Sequence, residues 1–316
     1  MLLPARRPPP AGVATPQLVD ESITSRDHRA VEYTHVLHEV REGVGHLVLN
    51  RPDKLNALGI GSGSNRDEIA RALSVADQAD EVGCHLITAA GNAFCAGGDL
   101  TGAPATEHVL DEHLFIRELD EFHTSIRALH KPVVAGVHGL CLGAGLGFMA
   151  QLDLVIASDE ARFGLIEGRM GHPGASEIVP LVGSAWAKFL ILTGELIDAE
   201  RAAEIGLVLT TVPADALPER AFDLARRIAR LPREGVLLNK AAVDRMTEAS
   251  GGAAGRLVGR THDALTKAMA REACAPDGRK FEEILASEGI DGVKQARNTQ
   301  FEGNWLPRRN RGPDGS

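Results

Sequence analysis

Two glycine-rich segments carry the first residues in this sequence whose type and spacing could do chemistry. Gly91-Asn92-Ala93-Phe94-Cys95-Ala96-Gly97-Gly98-Asp99-Leu100 follows an apolar strand pattern. Its adjacent glycines let the backbone turn and leave amides unobstructed by side chains. Pro132-Val133-Val134-Ala135-Gly136-Val137-His138-Gly139-Leu140-Cys141-Leu142-Gly143-Ala144-Gly145-Leu146-Gly147 again runs from a strand into glycines, with a helix expected to start near Gly145. A helix start adds unpaired N–H groups and partial positive charge. Both loops can therefore present backbone donors to an anion. Glycine turns after strands are also ordinary scaffolding, so neither segment is decisive alone.

A third motif, Leu49-Asn50-Arg51-Pro52-Asp53-Lys54-Leu55-Asn56-Ala57-Leu58, precedes them. In this order the three closely resemble the crotonase superfamily, the enoyl-CoA hydratase/isomerase group. The resemblance runs from about Val36 to at least Pro232. It takes in Ala161-Arg162-Phe163-Gly164, the Pro173-Gly174 turn, Leu192-Thr193-Gly194 and the stretch from Ala202 to Val208. It implies an α/β fold, the crotonase (ClpP-like) spiral of ββα units with a helical C-terminal region, acting on a coenzyme A thioester.

The resemblance also implies roles for individual residues. The amides of Gly98 and Ala144 would form an oxyanion hole, each donor being worth on the order of 10²- to 10³-fold in rate. The backbone around Lys54, Asn56, Ala57 and Leu58, with Ala96, Gly97, Asp99, Leu100 and Gly143, would line the coenzyme A. Lys54 would meet a phosphate, or else be a solvated turn lysine.

The acid and base positions depart from the best-known hydratases, which carry two glutamates. The first falls on Gly147, which has no side chain; the second is matched by Glu167 in Phe163-Gly164-Leu165-Ile166-Glu167. Apolar Leu165, Ile166 and Met170 should raise the Glu167 pKa above its ordinary ~4.3, which suits proton transfer near neutrality. One carboxylate suffices to move a proton between carbons of an enolate system, which is double-bond isomerisation. Hydration must also orient a water. Candidates for the missing acid are His172, first among them, then Glu177 and the cluster Glu107, His108, Asp111, Glu112 and His113; each is also the kind of polar residue that is merely solvated on a loop or helix face. Cys95 and Cys141 lie inside the two loops but show no adjacent base, so they read as packing residues.

The expected activity is thus proton transfer on an enoyl-CoA thioester, by hydration or isomerisation, in fatty acid metabolism. Thioester hydrolysis or decarboxylation on the same fold is the alternative. A catalytically degenerate homologue that binds coenzyme A or RNA is the non-enzyme reading. The spacing argues against dinucleotide binding, because only about five residues separate Gly147 from the next strand, too few for a βαβ unit of roughly 30 residues. No GxSxG elbow supports a serine peptidase. Coenzyme A is part of the substrate, and neither a metal nor another cofactor is expected.

The elements that must position these residues are legible as alternating strands and helices. A hairpin spans Val36 to Val40 and His46 to Asn50 around a turn at Glu42 to Gly45; strands recur at Cys84 to Thr88, Pro132 to His138, Asp153 to Ala157 and Leu207 to Val212. Phe115, Leu119, Phe122, Ile126 and Leu129 form one helical stripe, read as core. Ser184 should cap a helix that stops near Gly194, and Asp198 a second that ends at Gly206. Beyond about residue 214 helical patterns dominate, broken by Gly251, Gly252 and Pro276.

The resulting organisation is a disordered N-terminal tail over 1–30, a spiral core over 31–223, a helical oligomerisation region over 224–305 and a disordered tail over 306–316. The resemblance implies a homotrimer or homohexamer. Arg6 and Arg7 in a stretch without acids hint at a transit peptide, which Pro8, Pro9 and Pro10 oppose. The net charge of -9 argues against a nucleic-acid partner, and no apolar run reaches the roughly 20 residues of a membrane span. Four scattered cysteines without a CxxC pair indicate a reducing, cytoplasmic setting.

Overall fold

In the computed structural model of the chain, residues 33–99, 108–301, 303, 305 and 306 are described. The expected N-terminal tail, Leu100, Glu107 and residues 307–316 lie outside them. Strands β1 (Val36–Arg41) and β2 (Val44–Leu49) pair antiparallel around Glu42 and Gly43, both in left-handed conformation with φ of 50° and 79°. Such a two-residue turn matches the twist of its flanking strands. It starts the second strand two residues earlier than the sequence pattern suggests.

The hairpin leads into a six-stranded sheet ordered β1-β2-β3-β5-β7-β10, where β3 is Cys84–Ala89, β5 Val133–Val137, β7 Leu154–Ser158 and β10 Thr210–Val212. All pairs after the hairpin are parallel. Successive residues face opposite ways along a strand, so one face delivers Val44, Cys84, Leu86, Val134 and Ile156 to helix α6 (Leu217–Ala229). The other delivers Leu47, Leu49, Ile87, Ala135, Val137 and Ala157 to the main core. Gly136 permits the close approach of α6, since a Cβ there would stand 3.0 Å from that of Ala221.

A second sheet of very short strands, not evident in the sequence pattern, runs β4-β6-β8-β9: Ala93–Cys95, Leu140–Leu142, Arg162–Gly164 and Leu196–Asp198. Each turn of the spiral sends one strand to the large sheet, the next to the small sheet, and then a helix. The helices that close these turns are α2 (Val109–Arg127), α3 (Ala144–Met149) and α4 (Val179–Thr193), while α1 (Asn65–Gln78) follows the hairpin.

Asp198 accepts from the Arg201 amide at the start of α5 (Ala199–Glu204), and Gly194 ends α4 with φ of 61°. Inside α4 Gly183 takes φ 74° and ψ 166°, so the helical piece that ends at Gly194 starts at Ser184, as expected, after a short first piece from Val179. The stretch Ser176–Thr193 has a mean hydropathy of 1.3 and would pass as a membrane span by composition. The Gly183 break and the 3-10 turn at Ser176–Ile178 divide it into pieces too short for the roughly 20-residue requirement.

Strands end at Val212, and the chain continues as α6, α7 (Arg233–Thr247), α8 (Ala253–Ala270) and α9 (Phe281–Asn298), with Gly251 at φ 107° between α7 and α8. The expected boundary at residue 223 falls inside α6, which belongs to the core because it covers the large sheet. Helix α8 lies along α2, and α9 against a 3-10 turn at Ile166–Met170.

Asn56 fastens the first loop to this frame. It is fully buried at φ 56°; its amide donates to the carbonyls of Ala90 (2.9 Å) and Ala93 (2.8 Å), and its oxygen accepts from the Arg51 amide at 2.8 Å. An asparagine tolerates that backbone better than a branched residue. Replacing it with alanine leaves three backbone groups unpaired, one fully buried and two partly buried. Asn56→Ala should lose on the order of 3 kcal/mol in urea unfolding.

Candidate active site

The three chemically suggestive segments converge because three short strands run parallel and end within one residue of each other. Strand β4 pairs with β6 through Ala93–Leu140 and Cys95–Cys141, and β6 pairs with β8 through Leu140–Arg162, Cys141–Phe163 and Leu142–Gly164. The chain leaves β4 into Ala96-Gly97-Gly98, β6 into Gly143-Ala144, and β8 into Leu165-Ile166-Glu167. A Cβ built on Gly97 would stand 4.0 Å from the Ala144 nitrogen, so the two loops touch.

The backbone pairing determines which amides are free. Gly98 forms an isolated parallel bridge with Leu58, in which the Leu58 amide donates to Gly97 O (2.8 Å) and the Asp99 amide to Leu58 O (2.9 Å). That pattern uses the neighbours of Gly98 and turns its own N–H to the opposite side. Ala144 opens α3, and a first-turn amide has no carbonyl one turn earlier to bond. Among the described residues neither amide has an acceptor. Two unpaired donors on adjoining loops can hold an oxyanion.

Glu167 borders this pair. A Cβ on Gly143 would stand 2.9 Å from Glu167 Oε2 and 3.2 Å from Oε1, so only a residue without a side chain lets the carboxylate lie against this loop. Gly143 also has φ of 51°, and its amide donates to Gly164 O at 2.9 Å. Burial pushes the Glu167 carboxyl up to about 7, against weaker opposing pulls from its own backbone amide and from Arg297. Its Oε2 is buried without a partner among the described residues. A carboxyl of this kind can both accept and donate a proton near neutrality.

The other residues singled out by sequence are distributed unevenly around this centre. Lys54 is exposed on the turn before Leu55 and has no ion-pair partner among the described residues. Leu58 is fully buried, with both backbone groups occupied by the bridge, and the Asn56 side chain is spent on the clamp described above. Ala57 donates its amide to Lys54 O, and Ala96 to Leu55 O at 3.0 Å. Asp99 forms an ion pair with Arg51 at 2.9 Å, which draws the first loop to the loop bearing Gly98.

His172 donates its backbone amide to Glu167 O at 3.2 Å, and burial and Lys267 hold its ring below the ordinary range. Glu112, taken from sequence as a solvated helix residue, is instead buried between Lys267 (2.6 Å) and Arg271 (2.8 Å) and ties α2 to α8. His108 and Asp111 cap the start of α2, and His113 is exposed. Cys95 and Cys141 are buried in the core; burial pushes Cys95 up to about 11 and Cys141 well above the ordinary range.

The family model described as enoyl-CoA hydratase/isomerase matches residues 39–277. The chain belongs to the enoyl-CoA hydratase/isomerase family. It is 32% identical over 222 residues to a "probable enoyl-CoA hydratase" of Mycobacterium tuberculosis, covering 69% of this chain and 84% of that one. It is equally 32% identical over 219 residues to a 1,2-epoxyphenylacetyl-CoA isomerase of Escherichia coli, covering 66% and 81%. A crystal structure of an enoyl-CoA hydratase/isomerase from Xanthobacter autotrophicus Py2 superposes with a TM-score of 0.78 at 29% identity, covering 86% of this chain and all of that one. The crotonase fold of this family member is therefore shown by sequence and by structure.

One residue near the site was missed. His123, on α2 beside the apolar stripe, reaches the space next to Gly147: a Cβ there would stand 3.7 Å from His123 Cε1 and 3.2 Å from Ala175 Cβ. No short-range spacing connects residue 123 with 147, so periodicity alone could not reveal it.

The contact between the loops also limits substitution. A Cβ on Gly145 would stand 2.6 Å from both the carbonyl oxygen and Sγ of Cys95. Gly145→Ala should therefore force the β4 and β6 ends apart. The expected result is a melting temperature lower by several degrees, together with at least tenfold weaker binding of an acyl-CoA by calorimetry.

Proposed function

We propose that this family member moves protons on an enoyl-CoA thioester through an enolate held by the Gly98 and Ala144 amides, with Glu167 as the acid/base. The observation that carries the reading is the Glu167 carboxyl, partnerless at Oε2, directly against Gly143 beside the Ala144 amide. Removing a proton from the α-carbon of a thioester places negative charge on the carbonyl oxygen. Two fixed donors there stabilise the developing charge without reorganisation. Glu167 takes that proton or returns one, which serves both hydration and double-bond migration. Lys54, exposed at the near end of the first loop, would meet a phosphate of the coenzyme A.

The names of relatives fit this chemistry at its coarser level, since both a hydratase and an isomerase lie at 32% identity. The substrate's acyl group is not encoded in any feature of the oxyanion loops, because main-chain donors read only the thioester.

The test follows α-carbon hydrogen exchange of butyryl-CoA in deuterated water, a saturated substrate that needs only the oxyanion hole and a base. Glu167→Gln should lower the exchange rate by on the order of 10³-fold, and undiminished exchange would remove Glu167 from the mechanism. In the wild type the carboxylate is the active form. The exchange rate should therefore rise with pH through about 7 and then level off.

Stability has the opposite slope. Between an unfolded value of 4.5 and a folded value of about 7, the native state retains a proton that the unfolded chain has released, so stability falls as pH rises across that window. Glu167→Gln should consequently be more stable than wild type at pH 8, by on the order of 2 kcal/mol in urea unfolding, with the gain vanishing near pH 4.5.

A further inference from the structure

The space that Gly147 leaves beside the reacting centre is taken by an imidazole from another helix. Gly147 lies one helical turn after Gly143, to which its amide donates at 3.0 Å, and Gly143 touches the Glu167 carboxylate. A Cβ at residue 147 would meet Ala175 Cβ at 3.2 Å and touch His123 Cε1 at an ordinary contact distance of 3.7 Å. The ring of His123 thus borders the space that a side chain on α3 would enter, on a helix whose first amide belongs to the oxyanion pair.

The ring is oriented by a carboxylate. His123 Nδ1 lies 3.3 Å from Glu177 Oε1, with side-chain exposures of 14% and 21%. Burial alone would raise the Glu177 pKa, but the hydrogen bond and charge of His123, with Arg127 further off, hold it below the ordinary range. In the neutral ring, the tautomer that donates Nδ1–H to an ionised Glu177 carries its lone pair on Nε2. Nε2 has no partner among the described residues. The neighbouring polar groups are engaged elsewhere: Arg127 donates to Gln151 Oε1, and Gln151 donates to Gly147 O at 2.6 Å. On α8, Arg260 pairs with Asp120 at 3.3 Å, while burial, then Glu177, push Asp263 up to about 7.

We propose that His123, oriented by Glu177, is the second catalytic group of this enzyme and activates the water that adds to an enoyl-CoA. This rests on the proton-transfer reading of Glu167 and supplies the partner which that reading lacks for hydration. His123 Nε2 takes a proton from water as the water oxygen forms a bond to the β-carbon. The alkene π pair moves toward the thioester carbonyl, whose oxygen becomes the anion held by Gly98 and Ala144. The enolate then collapses, and its α-carbon takes the proton of Glu167. One water has been added across the double bond, and the proton on His123 returns to Glu167 through solvent.

The experiment separates the two groups. Exchange on butyryl-CoA requires Glu167 alone, whereas hydration of crotonyl-CoA and cinnamoyl-CoA requires both. His123→Ala and His123→Gln should retain exchange within about threefold and lose hydration by at least 100-fold. Glu177→Gln should reduce the hydration kcat by roughly tenfold with KM unchanged, the pattern of a positioning residue. Adding Gly147→Glu to His123→Ala places a carboxylate in the vacated space and should recover at least tenfold of the lost hydration.

Hydration at wild-type rate in His123→Ala would overturn the proposal. So would loss of exchange together with hydration in both His123 variants, which would assign the ring a packing role. A wild type that exchanges but hydrates neither substrate also overturns it while leaving the Glu167 reading intact, whereas a wild type that does not exchange sinks both.

Discussion

The structure depends on three short parallel strands, β4, β6 and β8, ending within one residue of each other. Their pairing through Cys95–Cys141 and Leu142–Gly164 brings three separate stretches of chain to one edge. Parallel strands cannot be joined by tight turns, so each is reached by a long excursion through a helix. The large sheet and its helices make those excursions return to the same place. A slip of one residue in any of these pairings would reverse the strand's faces and carry an amide or the Glu167 carboxylate out of reach.

Close approach at that edge explains why side-chain volume is absent where the loops meet. Gly145 lies against Cys95 and Gly143 against Glu167, and at the other end of the same strands Gly139 lies against the Asn92 carbonyl, where a Cβ would stand 2.0 Å from the oxygen. The loop bearing Gly98 is held from its other side by the Leu58 bridge and by Arg51–Asp99. The segment that resembles a coenzyme A loop and the loop that carries the Gly98 amide are therefore a single hydrogen-bonded unit. Any displacement of the first is transmitted through a few bonds to the second.

Much of this was legible in the sequence, and the rest was not for identifiable reasons. The glycine loops and the strand positions in the large sheet carry local signals, since turns and apolar periodicity are properties of neighbours in the chain, whereas Glu167 was singled out only by the resemblance of the Phe163-Gly164 segment to the family. The small sheet escaped because strands of three residues are too short to show alternation. The end of the core was placed inside α6 because a helix that covers a sheet and a helix of a terminal bundle share the same amphipathic pattern. Glu112 looked like a surface residue because its partners Lys267 and Arg271 lie far along the chain. His123 was hidden for the same reason, its relation to Glu177 spanning 54 residues.

A carboxyl with a pKa near 7 has a consequence for direction. At neutral pH the Glu167 population divides almost evenly between its two protonation states. In the proposed chemistry, a molecule arriving from either side of a reversible proton transfer would thus meet Glu167 already in the state it needs about half the time. The protein would then serve both directions with comparable readiness, while net flow, as with any catalyst, is set by the concentrations of the two thioesters relative to their equilibrium constant.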